Sequence, residues 1–264
     1  MYEFNVHKPG SVADAVSLLK GAADGKFLAG GQTLIPTLKQ RLASPSDVID
    51  LAGIGELEGI SDEGDAVKVG AMTTHAEVAS SELVRSQISA LADLAGLIGD
   101  PQVRNCGTIG GSIANADPAA DYPAAIVGLN ATVHTNQRTI AADDFFTGMF
   151  ETALNEDEIV TAVSFPKPSK AAYQKFPNPA SRYAIVGVMV AETGGEIRVA
   201  VTGAGPSVFR VADAESALAS NFSADAIGNL AVGSADLSSD IHASADYRAH
   251  LIGVMARRAV AAAS

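Results

Sequence analysis

The chain has 264 residues, enough for two or three modules, with 47% apolar and 18% charged residues, a balance that argues against disorder. A net charge of −12 argues against a nucleic-acid binder or a guest of anionic membranes and reads as solubility. The lone Cys106 excludes an intramolecular disulfide, and with them an iron–sulfur cluster or a zinc site built on several thiolates.

Residues 2–6 alternate like a short strand and lack the apolar core of a signal peptide. Pro9-Gly10 interrupts, and Ser11 opens a helix to about Lys20 with Val12, Val16 and Leu19 on one face. Residues 26–29 read as a strand that delivers Leu28-Ala29-Gly30-Gly31-Gln32-Thr33-Leu34-Ile35, with Thr33 able to cap a short helix through Lys39. Residues 47–51 form a further strand, completing a βαβ-like opening. Next come a strand at 67–71, a helix at 75–79 capped by Thr74, and a helix at 86–97 that Asp100-Pro101 ends. A strand is expected over 108–113, carrying Thr108-Ile109-Gly110-Gly111-Ser112 into a glycine turn, with Asp117 and Asp121 beyond it. A helical turn over 121–129, a hairpin of 131–134 with 138–141, and a strand at 158–165 follow. Residues 166–170, proline-rich and polar, mark the domain boundary. Beyond it, 184–192 and 196–202 make a hairpin around Gly194-Gly195, and helices take 213–219, 224–231 and 246–263. Strands followed by helices predict an α+β architecture. No apolar run is long enough to span a membrane, so a cytoplasmic protein is expected.

The two glycine pairs carry the chemistry. Paired glycines accept φ > 0 and let several backbone N–H groups approach an anion. Gly30 to Thr33 can cradle one phosphate and Gly110 to Ser112 the other, so the pairs together suit a dinucleotide diphosphate. Asp121 is placed either to accept hydrogen bonds from a ribose or to cap a helix. Tyr183 can lie against a planar ring or stand at a strand edge. Lys175 can steady a flavin carbonyl or a phosphate, or stay solvated. His75-Ala76-Glu77 mimics the H-x-E of zinc deaminases but lacks the C-x-x-C, so His75 reads as a helix residue beside a charge. Cys106 reads as a small packing residue. Gly203-Ala204-Gly205-Pro206 lacks the third glycine of a Rossmann fingerprint and reads as a turn.

The chain resembles the FAD-binding medium subunits of molybdenum hydroxylases (the xanthine dehydrogenase family), and looks most like that of aerobic carbon monoxide dehydrogenase. The resemblance runs end to end, through Ala29–Thr33, Ile98–Asn105, Thr108–Asp121, Asn178–Ala184 and His242–Arg248. It implies a two-part FAD-binding domain of the PCMH type over 1–165, split near residue 53 into an N-terminal and a middle unit. A C-terminal α/β sandwich domain is implied over 170–264. It also implies that both double-glycine loops bind the pyrophosphate and that Asp121 meets the adenosine ribose. Ile159 and Lys175 would approach the cofactor, and Tyr183 would cover the isoalloxazine. The implied partners are a large subunit with molybdopterin cytosine dinucleotide and a small one with two 2Fe–2S clusters, in a dimer of heterotrimers. The family often has His-Ser at Gln32-Thr33, and the carbon monoxide enzymes often have Arg at Cys106. The expected function is an electron relay in a carbon monoxide dehydrogenase-like complex, with no catalytic residue and no metal in this chain. Alternatives are a medium subunit of an aldehyde or N-heterocycle dehydrogenase, a stand-alone flavin oxidase, or a non-enzymatic nucleotide-binding protein.

Overall fold

The computed structural model describes residues 1–263. The first module holds β1 (Asn5–His7), α1 (Val12–Gly21), β2 (Gly25–Leu28), α2 (Leu34–Lys39) and β3 (Asp47–Asp50). Its three strands are parallel, in the order β1-β3-β2. Parallel strands need crossover segments: α1 joins β1 to β2, and α2 joins β2 to its neighbour β3. Ser11 caps α1 by accepting from the Asp14 N–H. Val12, Ala15, Ile49 and Leu51 make a small core completed by Met72 and Ile159 of the next module.

The middle module begins with β4 (Ile60–Asp62) and β5 (Ala66–Gly70), then α3 (His75–Ser80), α4 (Glu82–Gln87), α5 (Ser89–Gly96), α6 (Pro101–Arg104), α7 (Ile109–Asn115) and α8 (Tyr122–Gly128). It continues through β6 (Thr132–Thr135), β7 (Thr139–Ala141), α9 (Ala142–Phe145), β8 (Phe146–Gly148), β9 (Glu151–Thr152) and β10 (Val160–Pro166). Its main sheet is antiparallel, ordered β4-β5-β10-β6-β7. Three expectations fail here. The helix over 86–97 is two helices, broken at the buried Ile88, whose backbone (φ −144°, ψ 64°) is not helical. Asp100-Pro101 starts a helix rather than ending one, because the Asp100 carboxylate accepts from the Val103 N–H and proline suits the first helical turn. The expected strand over 108–113 is the helix α7, capped by Thr108, so the second glycine pair sits in a first helical turn.

The third module is an antiparallel sheet, β11 (Lys170–Pro177), β12 (Ala184–Thr193), β13 (Glu196–Thr202) and β14 (Phe209–Arg210), in chain order. Helices α10 (Ala212–Ser220) and α11 (Ala245–Ala262) complete it, and the expected helix at 224–231 is only a 3-10 turn, Ala224–Ile227. Gly194 and Gly195, both at positive φ, close the β12–β13 hairpin. The strand β11 was not expected from the sequence. Side chains alternate across β12: Val186, Val188 and Val190 join the core under α11, while Met189 and Ala191, with Tyr173 of β11, join the middle-module core. The sheet is therefore buried on both faces.

Candidate functional site

A cleft of about 720 Å³ opens between the β2–α2 turn, the start of α7 and the loop before β12. The turn is shaped by close backbone contact. A Cβ on Gly30 would fall 2.1 Å from the Cys106 carbonyl oxygen and 2.7 Å from Gly107 Cα, so the two glycine segments touch. Gly31 has φ +71°, a conformation that side-chain-bearing residues avoid. Its carbonyl accepts from the Ile35 N–H at 3.1 Å. Among the described residues the N–H groups of Gly30, Gly31, Gln32, Thr33 and Leu34 donate to no acceptor in the chain. The Thr33 hydroxyl likewise makes no capping bond.

The second glycine pair behaves differently. Ile109 N–H donates to Thr73 O (3.1 Å), Gly110 N–H to Ala71 O (2.8 Å) and Ser112 N–H to Thr108 O (3.0 Å). Gly111 N–H donates to Thr108 Oγ1 at 3.2 Å. These amides are engaged, which corrects the expectation that both pairs present an open amide cradle. Gly110 instead lets α7 lie on Ala71, where a Cβ would fall 2.5 Å from the Ala71 Cβ. Thr108, Gly110, Gly111 and Ser112 of this segment line the cleft.

Asp121 lines the cleft at its far end and is buried. It stands at the helix-cap position of α8 without capping it. Its Oδ1 accepts from the Tyr173 hydroxyl at 2.5 Å and its Oδ2 from Lys175 Nζ at 2.8 Å. Burial pushes the carboxyl pKa up, while the Lys175 ammonium and the two hydrogen bonds oppose that. Burial and the Asp121 charge hold the Tyr173 phenol far above its usual range, so it stays a donor. A carboxylate accepts about four hydrogen bonds, so Asp121 keeps capacity for a ligand. Lys175 is not solvated: its side chain is 2% exposed, it also donates to Leu97 O, and it stands behind Asp121 rather than lining the cleft.

Tyr183 lies on a loop that Asn178 ties together, accepting from the Ala180 and Ser181 N–H groups. Arg182, at φ 62°, reaches across to donate to Gly99 O. Tyr183 is half-exposed on the cleft wall, and burial, then Asp117 and Asp121, raise its phenol pKa. Of the residues singled out in sequence, the structure gathers Ala29–Leu34, Thr108, Gly110–Ser112, Asp117, Asp121, Ile159 and Tyr183 on this cleft. Leu28, Ile35 and Ile109 lie behind it as packing, and Cys106 is exposed rather than packed. Met72, His75, Ile98, Gly99 and Val103, none of them expected at the site from the sequence, also line it. Their spacing is that of core and loop positions; only His75, directly after a capping threonine, carried a chemical signal.

Residues 2–168 match the family described as the FAD binding domain in molybdopterin dehydrogenase. The chain belongs to that family. Residues 171–263 match the CO dehydrogenase flavoprotein C-terminal domain. The nicotine 6-hydroxylase medium subunit of Paenarthrobacter nicotinovorans is 38% identical over 96% of this chain and 94% of its own. The carbon monoxide dehydrogenase medium chain of Hydrogenophaga pseudoflava is 36% identical, over 98% and 96%. In three dimensions, reconstituted CO dehydrogenase from Oligotropha carboxidovorans superposes with a TM-score of 0.89 at 36% identity, covering 99% of this chain and 97% of that one. The chain is thus an FAD-binding medium subunit of the molybdenum hydroxylases, a flavoprotein component of an oxidoreductase. No helix among the described residues is long and apolar enough to cross a membrane.

Proposed function

We propose that this flavin subunit is the electron relay of a heteromeric molybdenum hydroxylase. The row of five unpaired N–H groups from Gly30 to Leu34 carries the reading, because contiguous open amides suit the oxygens of a diphosphate. Bound FAD supplies the exchange of electrons in pairs or singly. The chain's own residues hold it. The Gly30–Leu34 amides and the Thr33 hydroxyl donate to the diphosphate from one side, and the Ser112 hydroxyl from the other. Asp121, fixed by Tyr173 and Lys175, accepts from ribose hydroxyls. Ile159 and Tyr183 flank the ring system, and Asp117 completes the wall.

Substrate oxidation belongs to partner subunits. One thiol cannot ligate an iron–sulfur cluster, and among the described residues no group of three His, Cys, Asp or Glu could hold a metal. The partners are a large subunit with molybdopterin cytosine dinucleotide and a small subunit with two 2Fe–2S clusters, as a dimer of heterotrimers in the cytoplasm. Carbon monoxide dehydrogenase is the working template. The similarity to a nicotine hydroxylase subunit is of the same order, so an N-heterocycle or aldehyde substrate on the large subunit fits this chain equally.

Co-expression with the large and small subunits tests the assignment. A yellow-brown three-subunit complex is expected, and removing its FAD should leave cluster reduction by substrate intact while abolishing transfer to an external acceptor. An assembled, folded complex that stayed colourless and refused added FAD would end the proposal. Full turnover without the flavin would end the relay role alone.

A further inference from the structure

His75 is 4% exposed and lines the cleft, yet no hydrogen bond to either ring nitrogen exists among the described residues. Its place is set by the backbone around it. Thr74 and Glu77 form a reciprocal capping box at the start of α3, and the His75 N–H donates to Gly107 O at 2.9 Å. The ring rests on Tyr122, with centroids 5.3 Å apart. Gly107 makes room for it, since a Cβ there would fall 2.6 Å from His75 Nε2. Gly30 packs on the same residue, where its Cβ would fall 2.7 Å from the Gly107 Cα. Nε2 therefore reaches the cleft beside the seam of the two glycine segments.

A buried polar atom without a partner costs about 1–3 kcal/mol. Only four such side-chain atoms occur among the described residues: His75 Nδ1, Tyr122 OH, Thr193 Oγ1 and Arg248 Nε. Two of the four are on these two touching rings at the cleft. Burial, with a smaller contribution from Arg104, pushes the His75 pKa down to about 4, so at neutral pH the ring has one donor nitrogen and one acceptor nitrogen. With the proton on Nε2, Nδ1 is the acceptor nitrogen, and the structure shows no hydrogen bond between it and the Tyr122 hydroxyl. Nε2 is not one of the four, and no hydrogen bond to it exists among the described residues, so it is open to a ligand at the seam.

We propose that His75 is a cofactor-binding residue whose Nε2–H donates a hydrogen bond to the diphosphate at the seam of the two glycine segments. This rests on the assignment of the cleft to FAD. It extends the site by a side chain from α3, an element that contributes none of the sequence-expected residues.

The test uses the assembled three-subunit complex, flavin-depleted, titrated with FAD and with ADP. If the wild-type complex takes up no FAD, the cleft assignment fails, and His75 with it. If it does, H75F should weaken both FAD and ADP about tenfold, the size of one hydrogen bond to a charged oxygen. H75Q, which keeps a side-chain N–H, should stay within about threefold of wild type. Wild-type affinity in H75F, or equal losses in H75Q and H75F, overturns the proposal. Should both variants misfold, the 15N-histidine spectrum of the wild-type chain decides, with the His75 signals recognised as the pair that stays neutral to the lowest pH. FAD and ADP should both move the Nε2 resonance and adenosine should not. A resonance that FAD leaves in place, or that FAD moves and ADP does not, overturns the proposal.

Discussion

At the scale of single residues, His75 also sets a pH dependence. Its pKa falls from 6.5 to about 4 on folding, because burial excludes the imidazolium. Above pH 6.5 the ring is neutral in both states. As the pH drops, the unfolded chain takes up the proton first and stability falls, until the folded ring can protonate near pH 4. Urea unfolding of the flavin-free chain at about pH 7.5 and about pH 5 should show a loss of about 2 kcal/mol in the wild type that H75F does not share. Parallel losses in the two proteins would show that His75 is not the group responsible. Asp121 illustrates the same physics with the opposite solution. Its burial is met by Lys175 and Tyr173, so the carboxylate is held in position instead of being left without partners.

At the scale of elements, the four paired glycines are not equivalent. Gly30 is required by contact of one backbone with another, Gly31 by its positive φ, and Gly110 by the approach of α7 to Ala71. Gly111 is looser: a Cβ would lie 3.0 Å from Thr108 Oγ1 and 3.1 Å from the Ala29 Cβ. Gly30→Ala should therefore separate the β2–α2 turn from the start of α7 and cost about 1–3 kcal/mol. Gly111→Ala should come out near neutral, because the crowding is offset by about 0.5–1 kcal/mol of helix preference. Denaturant midpoints of the two variants decide this, and equal effects would contradict the contact geometry. In the sequence the two pairs look alike. The second misleads because Thr108, Ile109 and two glycines are all weak helix formers. The helix is signalled by Thr108 as a cap and by Ile109 and Ile113, four apart and both buried.

At the scale of the whole molecule, the third module is not an appendage. The sheet of β11 to β14 places Tyr173, Met189 and Ala191 in the core of the middle module, and Tyr173 and Lys175 on Asp121. A fragment ending at residue 168 would bare that core and leave Asp121 without either partner. It should fail to unfold cooperatively in calorimetry and should not retain FAD. A fragment melting as one unit with flavin bound would show that the modules are independent. Elements whose signals are local are legible in the amino-acid order: the capped helices α1 and α3, the β12–β13 hairpin at Gly194-Gly195, the α+β order, and the glycine pair that opens toward the cleft. Caps, turns and alternation act within a few residues, so they can be read in a line of letters. Which amides remain open, the service of Lys175 to Asp121 and the place of His75 at the cleft are set by long-range packing. Those outcomes depend on acceptors such as Thr73 O, Ala71 O and Leu97 O, and hydrogen-bond partners brought from distant stretches of chain leave no periodic trace in the sequence.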